Sequence, residues 1–307
     1  MKKNDTYSRI ILFVLLCNLC SVAKNNESIL NFRQIDFGLI NNSTDFSNKS
    51  EYELGYSQNI LKSTNVALSI NKFDVSLGGA YGWNSQNNDL LSSAIRFSIA
   101  NSSDTIEVEF KTDILKGYYK EVKDSVNKED VFPEMIQSTT ELDVNRKLFG
   151  NVGLLSLRDT SDVKNIFGYV FHIKSGITNY RLQNGYIYSS LKNIEISKIR
   201  NDSIKYFNNT MVNASIALSA QMRALNLFIN PNIGIGIMYG ISKSSDRNIS
   251  WFNNGIRGDV SLNVGYKSKH YTIGMITLLN ANSMQMFQNI DLSYGLVALN
   301  CYYRYTI

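Results

Sequence analysis

The chain has 307 residues, with 31 Lys and Arg against 26 Asp and Glu, and a formal net charge of +5. Cations and acids alternate along it without a basic block, which excludes nucleic acid as a partner. Two histidines and three cysteines suggest no Cys/His metal cluster, no glycine-rich phosphate loop is visible, and neither a metal nor a cofactor is expected.

Residues 1–23 read as a secretory signal peptide. Lys2, Lys3 and Arg9 precede the apolar run 10–16, and Ser21 and Ala23 place small residues at −3 and −1, so cleavage is expected after Ala23. The run falls short of the ~20 apolar residues of a spanning helix. Cys17 and Cys20 each follow a leucine, where a lipid-attachment box wants a small residue. Removing 1–23 takes away three cations and one acid, so +5 becomes +3, and leaves Cys301 as the last cysteine. An intrachain disulfide is therefore not expected.

Residues 24–307 form one domain of alternating segments. Strands are expected near 30–40, 51–59, 64–71, 73–83, 90–100, 104–114, 139–148, 152–158, 166–176, 186–196, 208–223, 225–240, 255–267, 270–280 and 290–306, one more than an even 14, so either one early segment does not span or 51–71 is continuous. In 73–83, Phe73, Val75, Leu77, Tyr81 and Trp83 alternate with Asp74, Ser76, Gly78, Ala80 and Gly82. In 212–223, Val212, Ile216 and Leu218 alternate with Asn213, Ser215 and Ser219. Runs of about 10–15 residues exceed the usual 5–6 of globular strands and suit a membrane crossing of ~9–11. One face is apolar and the other mostly Gly, Ser, Asn and Ala, which is the pattern of lipid outside and a polar lumen inside. The fold expected is all-β, an antiparallel up-and-down transmembrane β-barrel of about 12–14 strands.

The inward face concentrates charge. Alternation puts Arg96 inside, then Glu107, Glu109, Lys111 and Asp113, then Glu141, Asp143 and Lys147, then His172 and Lys174. Two roles suit such a cluster, a charged constriction or ligand site, or a salt-bridge network filling a narrow lumen. Taking 101–103 as a turn sets Arg96 opposite Val108, diagonal to Glu107 and Glu109, so a salt bridge to one of them is expected, with Lys111 or Lys147 neutralising the remaining acids. His172 and His270 have no nearby Ser/Asp spacing of a triad, and no catalytic residue is assigned.

Short turns are expected at 71–72, 101–103, 223–225 and 267–269, with long external loops at 116–138 and 240–255. Within and beyond the first of these loops, "EFKTDILKGYYKE", "FPEM" and "SLRDTSDVKNIFGYVFHIKSG" resemble an uncharacterised family of outer-membrane β-barrels of Bacteroidota, a domain of unknown function. "LFINPNIGIGIMYG" and "SLNVGYKSKHYTIG" are similar to its later strands. The resemblance implies a membrane barrel, assigns no activity, and points to Lys116, Gly117, Tyr118, Tyr119, Pro133, Glu134 and Met135.

The last segment sets Val297, Leu299, Cys301, Tyr303, Tyr305 and Ile307 on one face, similar to the C-terminal signal read by the barrel-assembly machinery. Ile290, Leu292, Tyr294 and Leu296 have the opposite parity, so a bulge is expected before Val297. The protein expected is an outer-membrane barrel of a two-membrane envelope, contacting lipid and the assembly machinery. Its role is read as non-enzymatic, a narrow channel or a structural or docking barrel, with an unassigned small solute or envelope protein as partner. The rivals are a barrel enzyme acting on lipid, with His172 as base, and an exported soluble β-sandwich binding protein.

Overall fold

The computed structural model describes residues 30–48, 52–57, 61–70, 73–83, 91–121, 131–158, 167–186, 203–244, 249–285 and 290–305. The expected signal peptide and Ile307 lie outside them. The strands are β1 (Leu30–Asn48), β2 (Tyr52–Ser57), β3 (Leu61–Ile70), β4 (Phe73–Trp83), β5 (Leu91–Ser102), β6 (Ile106–Glu121), β7 (Val131–Gly150), β8 (Phe167–Tyr186), β9 (Ser203–Ala224), β10 (Leu227–Ser244), β11 (Ile249–Lys267), β12 (Tyr271–Gln285) and β13 (Ile290–Tyr305), with one helix, α1 (Leu154–Arg158), between β7 and β8.

Every pairing is antiparallel, and β13 closes on β1 from Gln34↔Arg304 to Asn48↔Ile290. β2 and β3 lie end to end against β1, so thirteen ladder segments fill twelve wall positions of a closed barrel. The continuous reading of 51–71 is thus close to what is found. β4 and β5 are short, and beyond their far-end residues Trp83 and Leu91 β2 pairs directly with β6 through Gly55↔Glu121 and Ser57↔Tyr119. The wall therefore counts twelve strands at the end carrying Leu30 and Tyr305, here the terminal end, and ten at the far end. Barrel diameter follows strand number, so the lumen narrows toward the far end.

Facing follows side-chain chemistry. Leu77, Ile95, Val212, Ile216, Ile235 and Ile256 are exposed on the outer surface, whereas Asn213, Ser215 and Ser219 are buried on the inner one. That belt is the surface a bilayer requires, and closure leaves no unpaired sheet edge within it.

Four expectations need correction. Residues 152–158 hold α1, not a strand. The segments 116–138 and 240–255 are largely strand, because β6 and β7 run to Glu121 and from Val131, and β10 and β11 to Ser244 and from Ile249. There apolar side chains occur on both faces, Ile241 and Phe252 exposed outside and Met135 buried inside, so alternation no longer marks the strand while the backbone ladder continues. β13 has no bulge, since its register with β1 and β12 is unbroken. Leu292 and Tyr294 instead keep the inward parity and are buried in the lumen. The turns fall at 103–105, 225–226 and 268–270, displacing 101–103, 223–225 and 267–269. A true register shift lies at Lys116/Tyr118, where Gly117 has φ 83°, a left-handed backbone that glycine adopts at least cost.

Candidate functional site

The lumen is layered along its axis. Halfway up, six charged side chains form one connected network. Lys111 of β6 reaches Glu141 (2.8 Å) and Asp143 (3.7 Å) on β7, and Lys174 of β8 holds Asp143 at 2.8 Å. From the opposite wall Arg257 of β11 donates to both oxygens of Glu141 (3.3 Å each) and to Asp259 (2.9 Å). Arg257 is 1 % exposed. A guanidinium can be buried so deeply because its fork is matched by two carboxylates, and three cations face three carboxylates. The Arg257–Glu141 pair crosses the barrel interior between strands that are not wall neighbours.

Toward the far end, the narrower half is filled by apolar and amide side chains. Tyr180 of β8 stacks on Tyr294 of β13 at 4.7 Å between centroids. Met135, Met211, Met238, Met284, Leu182 and Leu292 pack with them, none more than 1 % exposed. Asn209 donates to Met284 Sδ (2.7 Å) and receives Asn253 Nδ2 (2.9 Å). Tyr180 with Tyr294 and Asn209 with Met284 join strands that are not wall neighbours, whereas Asn253 and Asn209 flank the same strand β10. Among the described residues, buried side chains narrow the lumen over this height.

Toward the terminal end the network borders a chamber of about 540 Å³. The wall supplies Asp74, Glu107, Glu109, Lys174, Asp259 and Arg304 as charged lining, and Asn145, His172, Ser219, Asn230 and Asn232 among its polar lining. Leu154 and Leu157 of α1 form part of its boundary. The helix is held there by backbone bonds from Leu154 and Leu155 to Asp104 and Ser103 (3.0 and 3.2 Å) and by packing of Leu154 and Leu157 with Val152 and Val170.

His172 Nε2 lies 3.1 Å from Ser219 Oγ, and Ser219 donates to Asn232 Oδ1 at 2.7 Å. The serine proton is thus committed to the amide, so Ser219 accepts from Nε2–H and the neutral ring keeps its proton on Nε2. Nδ1 is left as a buried acceptor without a partner. Among the described residues no group of three His, Cys, Asp or Glu is placed to hold a metal ion.

Of the residues singled out by alternation, Lys111, Glu141, Asp143 and Lys174 meet in the network, while Glu107, Glu109 and His172 line the chamber. Arg96 pairs with Asp113 (2.8 Å), not with Glu107 or Glu109. β5 continues through Ser102, so the register is Arg96↔Asp113, and Glu107 receives Ser102 Oγ (3.0 Å) and Asn145 Nδ2 (2.7 Å) instead. Lys147 stands at the terminal end, its amide bonded to Thr105. His270 lies in the 268–270 turn. The family-like residues Lys116, Gly117, Tyr118 and Tyr119 are in β6, and Pro133, Glu134 and Met135 in β7; Lys116 reaches Glu134 at 3.5 Å and Met135 belongs to the apolar filling. Arg257, Asp259, Ser219 and Asn230 were not singled out. Their signal was parity alone, because nothing local in the sequence pairs Arg257 with Glu141, 116 residues away.

No family model and no curated protein sequence matches the chain. Solved structures similar to it are outer-membrane β-barrels. The β domain of the Bordetella autotransporter BrkA has a TM-score of 0.43 at 10 % identity, covering 90 % of this chain and 100 % of that one. The outer-membrane protease OmpT from Escherichia coli has 0.38 at 9 %, covering 90 % and 96 %. The Pseudomonas putida toluene transporter TodX has 0.29 at 7 %, covering 90 % of each. A protease stands among these barrels, so the reading of the chain as non-enzymatic does not stand.

Proposed function

We propose that the chain is an outer-membrane barrel, exported by a leader removed after Ala23, that is sealed against through-flow and works through the chamber at its terminal end. The observation that carries this reading is the Arg257–Glu141 bridge across the interior, backed by the Tyr180–Tyr294 stack above it. Together they favour a plugged barrel over a narrow channel. The chamber then serves as a one-sided binding site, facing the periplasm if both termini lie there, the usual side of the short turns.

The test is single-channel recording in planar bilayers. Purified wild-type protein should insert without a stable ohmic step. A reproducible conductance from the wild type would overturn the seal.

A further inference from the structure

We infer that the terminal-end chamber binds an uncharged, hydroxyl-rich solute of the size of one or two sugar rings. Its volume of about 540 Å³ lies in the range of small-molecule sites. Every charged group on its wall already has a partner in the protein. Lys174 holds Asp143, Asp259 holds Arg257, and Arg304 donates to Gln34, which in turn donates to Asp36. Glu107 receives Ser102 and Asn145, and Asp74 and Glu109 are likewise engaged. An ion entering the chamber would shed its water and find every opposite charge engaged, which is costly.

What the wall leaves open is uncharged. Asn230, His172 and Asn145 line the chamber, each more than nine-tenths buried. Neither amide atom of Asn230 has a partner, and His172 Nδ1 and Asn145 Oδ1 are acceptors without one. Flipping Asn145 would not relieve this, because its Nδ2 is spent on Glu107. Buried polar groups left unpaired are costly, and the soft terminal torsion of Asn230 lets its amide turn to a ligand. A free donor beside a free acceptor matches two neighbouring hydroxyls, one accepting from Nδ2 and one donating to Oδ1. The three side chains come from β10, β8 and β7, with β9 standing between the first two. The ligand must therefore present donors in several directions, as a ring of hydroxyls does and a single carboxamide does not. Ala217 and Gly234, paired across β9 and β10, keep that stretch of wall thin.

This inference rests on the one-sided chamber, yet the two fail separately, because conductance reports the seal and binding reports the lining. Glucose, galactose, mannose and maltose are titrated calorimetrically into the full barrel in a polyoxyethylene detergent, which carries no sugar head. Spermidine, glutamate and acetamide serve as comparators. At least one of the sugars should bind, with the same affinity at low and high salt, and the comparators should not. Asn230→Ala should weaken that binding roughly tenfold, the scale of a lost buried hydrogen bond. Ala217→Leu fills the chamber from β9 and leaves Asn230 in place; it should weaken binding too, and it decides the matter if the first variant does not fold. Absence of binding by every sugar, equal binding of a comparator, an affinity that falls with salt, or affinity unchanged in the folded variants would overturn the assignment.

Discussion

Arg257→Met is the sharpest probe of the narrowed lumen. The substitution keeps most of the side-chain volume and removes the cation, turning a neutral network of three and three into one with an unbalanced carboxylate. Breaking a buried pair from one side costs about 3–5 kcal/mol. Here Glu141 keeps Lys111 at 2.8 Å and Asp259 keeps the amide of Asn280, so a loss of about 2–3 kcal/mol is expected. Glu141→Gln leaves the opposite imbalance, with Arg257 still held by Asp259. The double variant restores neutrality and should be more stable than the two losses summed, by about 1–2 kcal/mol. Urea unfolding of liposome-inserted protein, followed by tryptophan fluorescence and by the mobility shift of unheated barrels, gives the four free energies of the cycle. Additivity to within about 0.5 kcal/mol would mean the two residues do not meet across the interior.

Ile216→Arg, on the outer belt, should cost about 2–4 kcal/mol near the bilayer midplane, while Ser215→Arg, whose side chain opens onto the chamber, should cost less in the same assay; equal losses would refute the facing. Gly38→Val should lower stability by about 1–3 kcal/mol through overpacking, since a Cβ there meets the Asn300 side chain and the Leu299 carbonyl at the β1–β13 closure; an unchanged urea midpoint would show that the closure is loose.

Alternation revealed facing because side chains on a strand repeat with period two, and Ile216 and Arg96 lie on the faces it assigned. It could not reveal register. A misplaced turn of a few residues moved the partner of Arg96 from Asp113 to the glutamates. Nor does it say what an inward apolar residue means. Leu292 and Tyr294 looked like a change of phase because the lumen was taken to be polar throughout, whereas its narrow half is packed like a core. The twelve-strand wall lay within the expected 12–14, and the odd count already required that one early segment fail to span or that 51–71 be continuous. Contacts across the interior were not, because parity says which way Glu141 and Arg257 point and nothing about where around the barrel each strand stands. α1 was hidden for a simpler reason, since five residues are too few for a helical period to show.

The even count of charges in the central network has an electrical consequence. A membrane potential does work of roughly 2.3 kcal/mol per elementary charge per 100 mV on a charge carried across the bilayer. Three cations tied to three carboxylates present no net charge to that field when they move together. A shift of the network as a unit is thus indifferent to voltage, whereas drawing Arg257 away from Glu141 along the barrel axis separates charge and is not.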